Sequence, residues 1–186
     1  MAYKSILVHV ETGAPAERRL ALAAGLAERF AARLIGLTAV LPPTWSGVAG
    51  LPQLVADIEK SNEDYIAACR ARFQTATATR PEDSEFRYHL NAARRALAEE
   101  SAFADLVIVG DSSNDSPVES LLSADDALFA ASSPVLVVPH DYGRDFVPGT
   151  VFGAWKNTRE AARAERDALP LLHIARKIVV GAVAVR

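Results

Sequence analysis

The stretch ADLVIVGDSSNDSPVESLLSADDALFAASSPVLVVP, residues 104–139, reads as strand, loop, helix, strand. Residues 105–109 and 135–138 are short β-branched apolar runs with no alternation, the pattern of strands covered by helices on both faces of a parallel sheet. Two such runs joined by a helix make a right-handed βαβ unit. In an open α/β sheet the ligand crevice lies outside the carboxyl ends of the strands, so the loop after Gly110 is where function is to be sought.

The residues before this stretch repeat its logic. Residues 4–10 (KSILVHV) form a buried strand, followed by a turn at Glu11, Thr12 and Gly13 and by Pro15, which suits a first helical turn. Leu22, Leu26 and Phe30 recur every fourth position in a helix over 16–32, with Glu17, Arg18, Glu28 and Arg29 outward. A second strand is expected at 34–40 and a second helix from 54 to about 77. The Pro/Gly-rich segment 42–52 between them, which contains Trp45, is either a lid over the strand ends or slack. Residues 85–90 alternate enough for a strand near the sheet edge, and 92–103 form a helix. Strand and helix thus alternate five times before Pro139, which predicts a doubly wound, five-stranded parallel sheet. A strand order of 3-2-1-4-5 puts the first and fourth strands side by side, with the switch point between Glu11 and Gly110.

The segment after Pro139 is turn-rich, and 141–149 reads as a linker between a domain at 1–140 and a partial repeat at 150–186. Residues 151–155 answer 6–10, a helix from Thr158 to about residue 175 answers the first helix, and 178–185 answer 34–40. Ile6 to Leu34 is 28 residues and Val151 to Ile178 is 27, which favours an internal repeat over coincidence. A βαβ piece of about 36 residues is too small to fold alone. It must dock on the first domain, complete its sheet with another subunit, or belong to a longer protein.

Composition bounds the function. Among 186 residues half are apolar and the formal net charge is −3, so there is no basic surplus for nucleic acid or an anionic membrane. Nothing resembles a secretory signal, and no run approaches the roughly 20 apolar residues that span a bilayer. The single Cys69 forms no internal disulfide, and a reducing cytoplasm is the default compartment.

Ser116, Pro117, Val118 and Glu119 make a capping box with proline at the first helical position, so a helix start is expected there, where free N–H groups attract anions. Charge opposes that use. No lysine or arginine occurs from Ala96 through Gly143, while Asp111, Asp115, Glu119, Asp125 and Asp126 lie in or just after the loop. A unit charge pair near 4 Å is worth about 1 kcal/mol in water and roughly 4 at an effective dielectric of 20, against about 0.3–1 for a helix dipole. Unaided triphosphate binding is therefore disfavoured. The same carboxylates suit a hard cation, although a solvated acidic loop is the simpler reading and no EF-hand pattern is present. Glu11 is either an acceptor for an adenine amine or ribose hydroxyl, or an ordinary strand-end residue. His9, His89, His140 and His173 match no metal spacing, Cys69 reads as buried filler, and no GxSxG, Walker A or HExxH sequence occurs.

KSILVHVET at the first strand and turn, ADLVIVG entering the loop and SSPVLVVP at the fifth strand together resemble the universal stress protein family, in family order across the first domain. VFGAWKNTREAARAERDALPLL resembles the opening of a second domain in tandem members. The resemblance implies an adenine-nucleotide alpha-hydrolase-like fold in the cytoplasm, dimerisation through the fifth strand, and in one subclass ATP binding by a loop G-x2-G-x9-G-(S/T). Gly110 fits the first glycine, but Ser113 stands at the second and Ser123 (or Leu121, counted back from Pro134) at the third. Such glycines let backbone N–H groups approach phosphates, so their loss and the added acids argue together. The implied nucleotide site, Glu11, Thr12, Val40, Gly110, Asp111, Ser113 and Ser123, is read as vestigial. In the second copy Lys156 answers Glu11.

The expectation is a dimeric, non-catalytic stress-response interaction domain with no cofactor, paired through Val135–Val138 or the partial repeat, with protein partners that the sequence does not name. The alternative is a member that binds ATP or AMP with Mg²⁺, with slow hydrolysis. A weaker third, an enzyme of the wider adenine-binding α/β group, lacks an evident nucleophile or acid/base pair.

Overall fold

A computed structural model describes residues 2–43, 50–111, 122–143 and 149–182. The elements are β1 (Ser5–His9), α1 (Ala14–Phe30), β2 (Arg33–Val40), α2 (Pro52–Ala76), β3 (Ser84–Leu90), α3 (Ala93–Ser101), β4 (Leu106–Gly110), α4 (Ala124–Ala130), β5 (Val135–Val138), β6 (Thr150–Trp155), α5 (Arg159–His173) and β7 (Lys177–Ala182). The first five strands form one parallel sheet in the order β3-β2-β1-β4-β5. This is the doubly wound arrangement that the alternation predicts.

Strand side chains alternate between two apolar layers. Ile6, Val8, Leu106, Ile108 and Leu136 pack with Leu20, Leu26 and Phe73, from α1 and α2, on one face. Leu7, Ile35, Val107, Val109 and Val137 pack with Leu97 and Ala127, from α3 and α4, on the other. Burial on both faces explains why these strands carry no polar alternation. Gly36 in β2 sets the depth of α2, because a Cβ there would lie 2.5 Å from the Phe73 ring. Asp105 aligns β1 with β4, its carboxylate accepting from the backbone N–H groups of Lys4 at 2.7 Å and Ser5 at 2.9 Å. Helix α1 ends at Ala31, which adopts a left-handed φ of 50° while Ala32 N–H reaches back to the Ala27 carbonyl at 2.8 Å.

Beyond the first domain, β6, α5 and β7 form a parallel βαβ unit whose two strands make their own sheet and do not join the larger one. Helix α5 docks it. Tyr3 donates its hydroxyl to the Asp167 carbonyl at 2.8 Å, Arg163 donates to the Ser132 carbonyl at 3.3 Å, and Leu171 packs against the α1/α2 core. The unit thus contacts the first domain through α5. Tyr142, early in the segment read as a linker, also packs on that core.

Candidate functional site

The chain runs outward from β1 through β2 to β3 and then returns to the other side of β1 at β4, so the switch point lies between β1 and β4. At their carboxyl ends the backbone pairing continues for a residue, Val10 N–H donating to the Leu37 carbonyl at 2.8 Å and Asp111 N–H to the Val138 carbonyl at 2.9 Å. Glu11 and Gly110 therefore sit where the sequence puts them, at the mouth of the crevice.

What joins them is Arg19, from the second turn of α1, which is only 4% exposed. Its Nε donates to the His9 carbonyl at 3.1 Å and its Nη2 to Glu11 Oε2 at 2.6 Å. Its Nη1 lies under Gly110, 2.1 Å from where a Cβ on that residue would stand. Gly110 thus has a structural reason to be glycine that involves no phosphate: the guanidinium occupies the space of its side chain. His9 is buried beside this pair, Nδ1 3.8 Å from Glu11 Oε2. Burial holds its pKa below the usual imidazole value, the Glu11 carboxylate opposes that shift and the Arg19 cation adds to it. The result is a desolvated charge pair at the one position where an α/β sheet offers a ligand its crevice.

Arg19 is not among the expected site residues, because the cation of the crevice comes from α1 and not from the loop after Gly110. The signal was present: Ala16, Arg19, Leu20, Ala23, Leu26 and Ala27 follow helical spacing on the buried stripe, and a charge on an apolar stripe needs a partner. Glu11 is an ion-pair partner as well as a strand-end residue: its Oε2 accepts from Arg19, and its side chain is 16% exposed.

Thr12, Val40 and Asp111 lie at or just past the carboxyl ends of the neighbouring strands β1, β2 and β4. Thr12 is half-buried in the turn before α1, Val40 is buried at the end of β2, and Asp111 is exposed just past β4. Ser123 caps α4: its hydroxyl accepts from Asp126 N–H at 2.9 Å and donates to Asp126 Oδ2 at 2.9 Å. Asp125 and Asp126 lie in the first turn of α4, where carboxylates complement the helix dipole. Ser113, Asp115, the capping box at 116–119 and Trp45 lie outside the described residues. Among the described residues no three His, Cys, Asp or Glu side chains are grouped to hold a metal, and no helix is long and apolar enough to cross a membrane. Cys69 is buried against Thr38, whose hydroxyl lies 3.8 Å from its sulfur, and burial pushes the thiol pKa up.

No protein-family model and no curated protein matches the chain. Solved structures do. A universal stress protein in complex with cAMP is 24% identical, covers 76% of this chain and all of its own, and superposes with a TM-score of 0.50. The universal stress protein UspA from Lactobacillus plantarum is 23% identical over 74% of this chain and 99% of its own, at 0.51. The hypothetical protein MJ0577 is 15% identical over 77% of this chain and 100% of its own, at 0.57. Strand order, helix placement and these superpositions agree that the chain carries the universal stress protein fold.

Proposed function

We propose that this protein is a universal-stress-type interaction domain, dimeric and without chemistry of its own, whose switch-point crevice has lost nucleotide binding. The Arg19–Glu11 pair carries the reading. The Arg19 guanidinium neutralises the Glu11 carboxylate through a charge-assisted bond of 2.6 Å and leaves it only 16% exposed, which weakens it as an acceptor for an adenine amine or a ribose hydroxyl. Serine at 113 and 123 in place of glycine, and the acids around them, oppose phosphate binding as well. The half-exposed apolar strand Val135–Val138 at the sheet edge supports pairing of two copies there, with the partial repeat as the other candidate surface. The compartment that Cys69 and the composition favour is the cytoplasm.

A second reading is a nucleotide-binding member in which Mg²⁺ neutralises the acidic loop. The cAMP bound by a structural neighbour favours it. Calorimetric titration with ATP and with AMP, each with and without Mg²⁺, separates the two. No heat up to millimolar nucleotide supports the interaction domain, whereas saturable micromolar binding only with Mg²⁺ establishes the second reading.

A further inference from the structure

The two ends of the sheet are unlike. β5 pairs with β4 over four residues, while β3 pairs with β2 over seven in unbroken register, from Ser84 opposite Leu34 to Leu90 opposite Val40. No proline, glycine or bulge interrupts β3, and its outer edge meets no strand among the described residues. Sheets usually blunt such an edge with proline, a bulge or a charge aimed across it. The charges of β3 are engaged elsewhere. Glu85 pairs with Arg33 and Arg87, Arg87 also pairs with Glu100 of α3, and His89 Nε2 lies 2.8 Å from Glu100 Oε1.

The other face of β3 is apolar and open, with Tyr88 49% and Leu90 59% exposed. Helix α2 overhangs it, and between them runs a groove of about 640 Å³ lined by Pro42, Asn62, Ile66, Glu59, Glu63 and Arg70. Arg70 is stacked at one end, its guanidinium carbon 5.0 Å from the Phe86 ring centre and 5.9 Å from that of Tyr88. Glu59 and Glu63, one turn apart on α2, have no hydrogen-bond or ion-pair partner among the described residues. Eleven residues separate Glu59 from Arg70, about 16 Å along the helix, so the two signs of charge sit at opposite ends.

We infer that this edge and groove are a docking site for an extended basic peptide segment of a protein partner, which adds to β3 as a sixth strand. Main-chain hydrogen bonds to the open edge supply affinity, and alternate side chains enter the groove. A lysine or arginine at the Leu90 end lays its methylene stem across Tyr88 and Leu90 and carries its charge to Glu59 and Glu63. An acidic residue in that position meets two carboxylates instead. The inference is independent of whether the switch-point crevice binds nucleotide.

The test uses the full chain and capped hexapeptides of alternating threonine and valine with a lysine at one end only, either first or last, titrated by calorimetry at low salt and followed by hydrogen exchange. The expected result is saturable binding of one of them that slows exchange at residues 84–90, is lost when that lysine is replaced by glutamate, and weakens about tenfold in E59Q/E63Q. Both glutamates lie on the polar side of α2, so the double variant should keep the wild-type circular dichroism spectrum. Absence of saturable binding at millimolar peptide, binding unchanged in E59Q/E63Q, or binding without protection of 84–90 overturns the inference. So does equal binding of free lysine amide, which would make the groove a small-cation site.

Discussion

Substituting Gly110→Ala tests whether Arg19 fills the switch point. A Cβ at residue 110 would stand 2.1 Å from Arg19 Nη1 and 3.2 Å from its Cζ, so the guanidinium must move by about an ångström or more. That displacement costs the bond to the His9 carbonyl, the bond to Glu11, or both. Hydrogen bonds to charged groups are worth about 1.5–3 kcal/mol each, and a carboxylate left buried without its cation adds to the loss, so Gly110→Ala is expected to destabilise by about 3 kcal/mol. In the background Arg19→Ala/Glu11→Gln, neither the guanidinium nor the orphaned carboxylate remains. The same Gly110→Ala change should then cost under about 1 kcal/mol, since the glycine is no longer needed for space. Urea unfolding of the four proteins gives a coupling energy of about 2–3 kcal/mol if the reasoning holds. Equal costs in the two backgrounds would refute it and return Gly110 to a role in backbone approach to a ligand.

Three further outcomes follow from the geometry. Because burial depresses the pKa of His9, the unfolded chain takes up this proton more readily; the contribution is complete above about pH 6.5 and is lost as pH falls below it, with a limiting slope of about 1.4 kcal/mol per pH unit. His9→Gln should flatten stability between pH 6.5 and 5, leaving the acid loss from Glu85 and Glu100, whose pKa values are lowered, to lower pH. Ala31→Gly relieves an exposed left-handed residue and is expected to raise stability by about 0.5–1 kcal/mol in urea unfolding. Val137→Glu places a charge on the β5 edge strand, and light scattering should show monomers with retained helical signal if copies pair there; an unchanged mass would move the interface elsewhere.

The fold was legible because its strands are buried twice over. Residues 106–109 and 135–138 carry apolar side chains to both helix layers, and unbroken β-branched runs between helical periods leave few architectures open. The strand order rested on the resemblance and on the switch-point rule, since no pattern within residues 84–90 states which neighbour they pair with. Helix α1 starts two residues earlier than expected, with Pro15 at its second position. The separate sheet of β6 and β7 was not legible: KIVVGA has the composition of a strand buried on both faces, yet Ile178, Val179 and Val180 are 47%, 37% and 63% exposed. Sequence records what a strand can bury, not whether a layer is there to bury it.

The site was legible in its backbone positions but not in its charge. The loop after Gly110 by itself carries acids without cations, a charge pattern that repels phosphate. The described part of the crevice, however, also draws on the end of β1 and on α1, about 90 to 100 residues earlier in the chain, and it is α1 that brings a cation to it. One guanidinium changes three assignments together: Glu11 becomes half of an ion pair, Gly110 becomes a space for Arg19, and His9 becomes a neutral imidazole sealed behind both. These roles are interdependent, since the bulk at residue 110, the cation at 19 and the acceptor at 11 each presuppose the other two. The coupling between residues 110 and 19 therefore tests this arrangement as a unit.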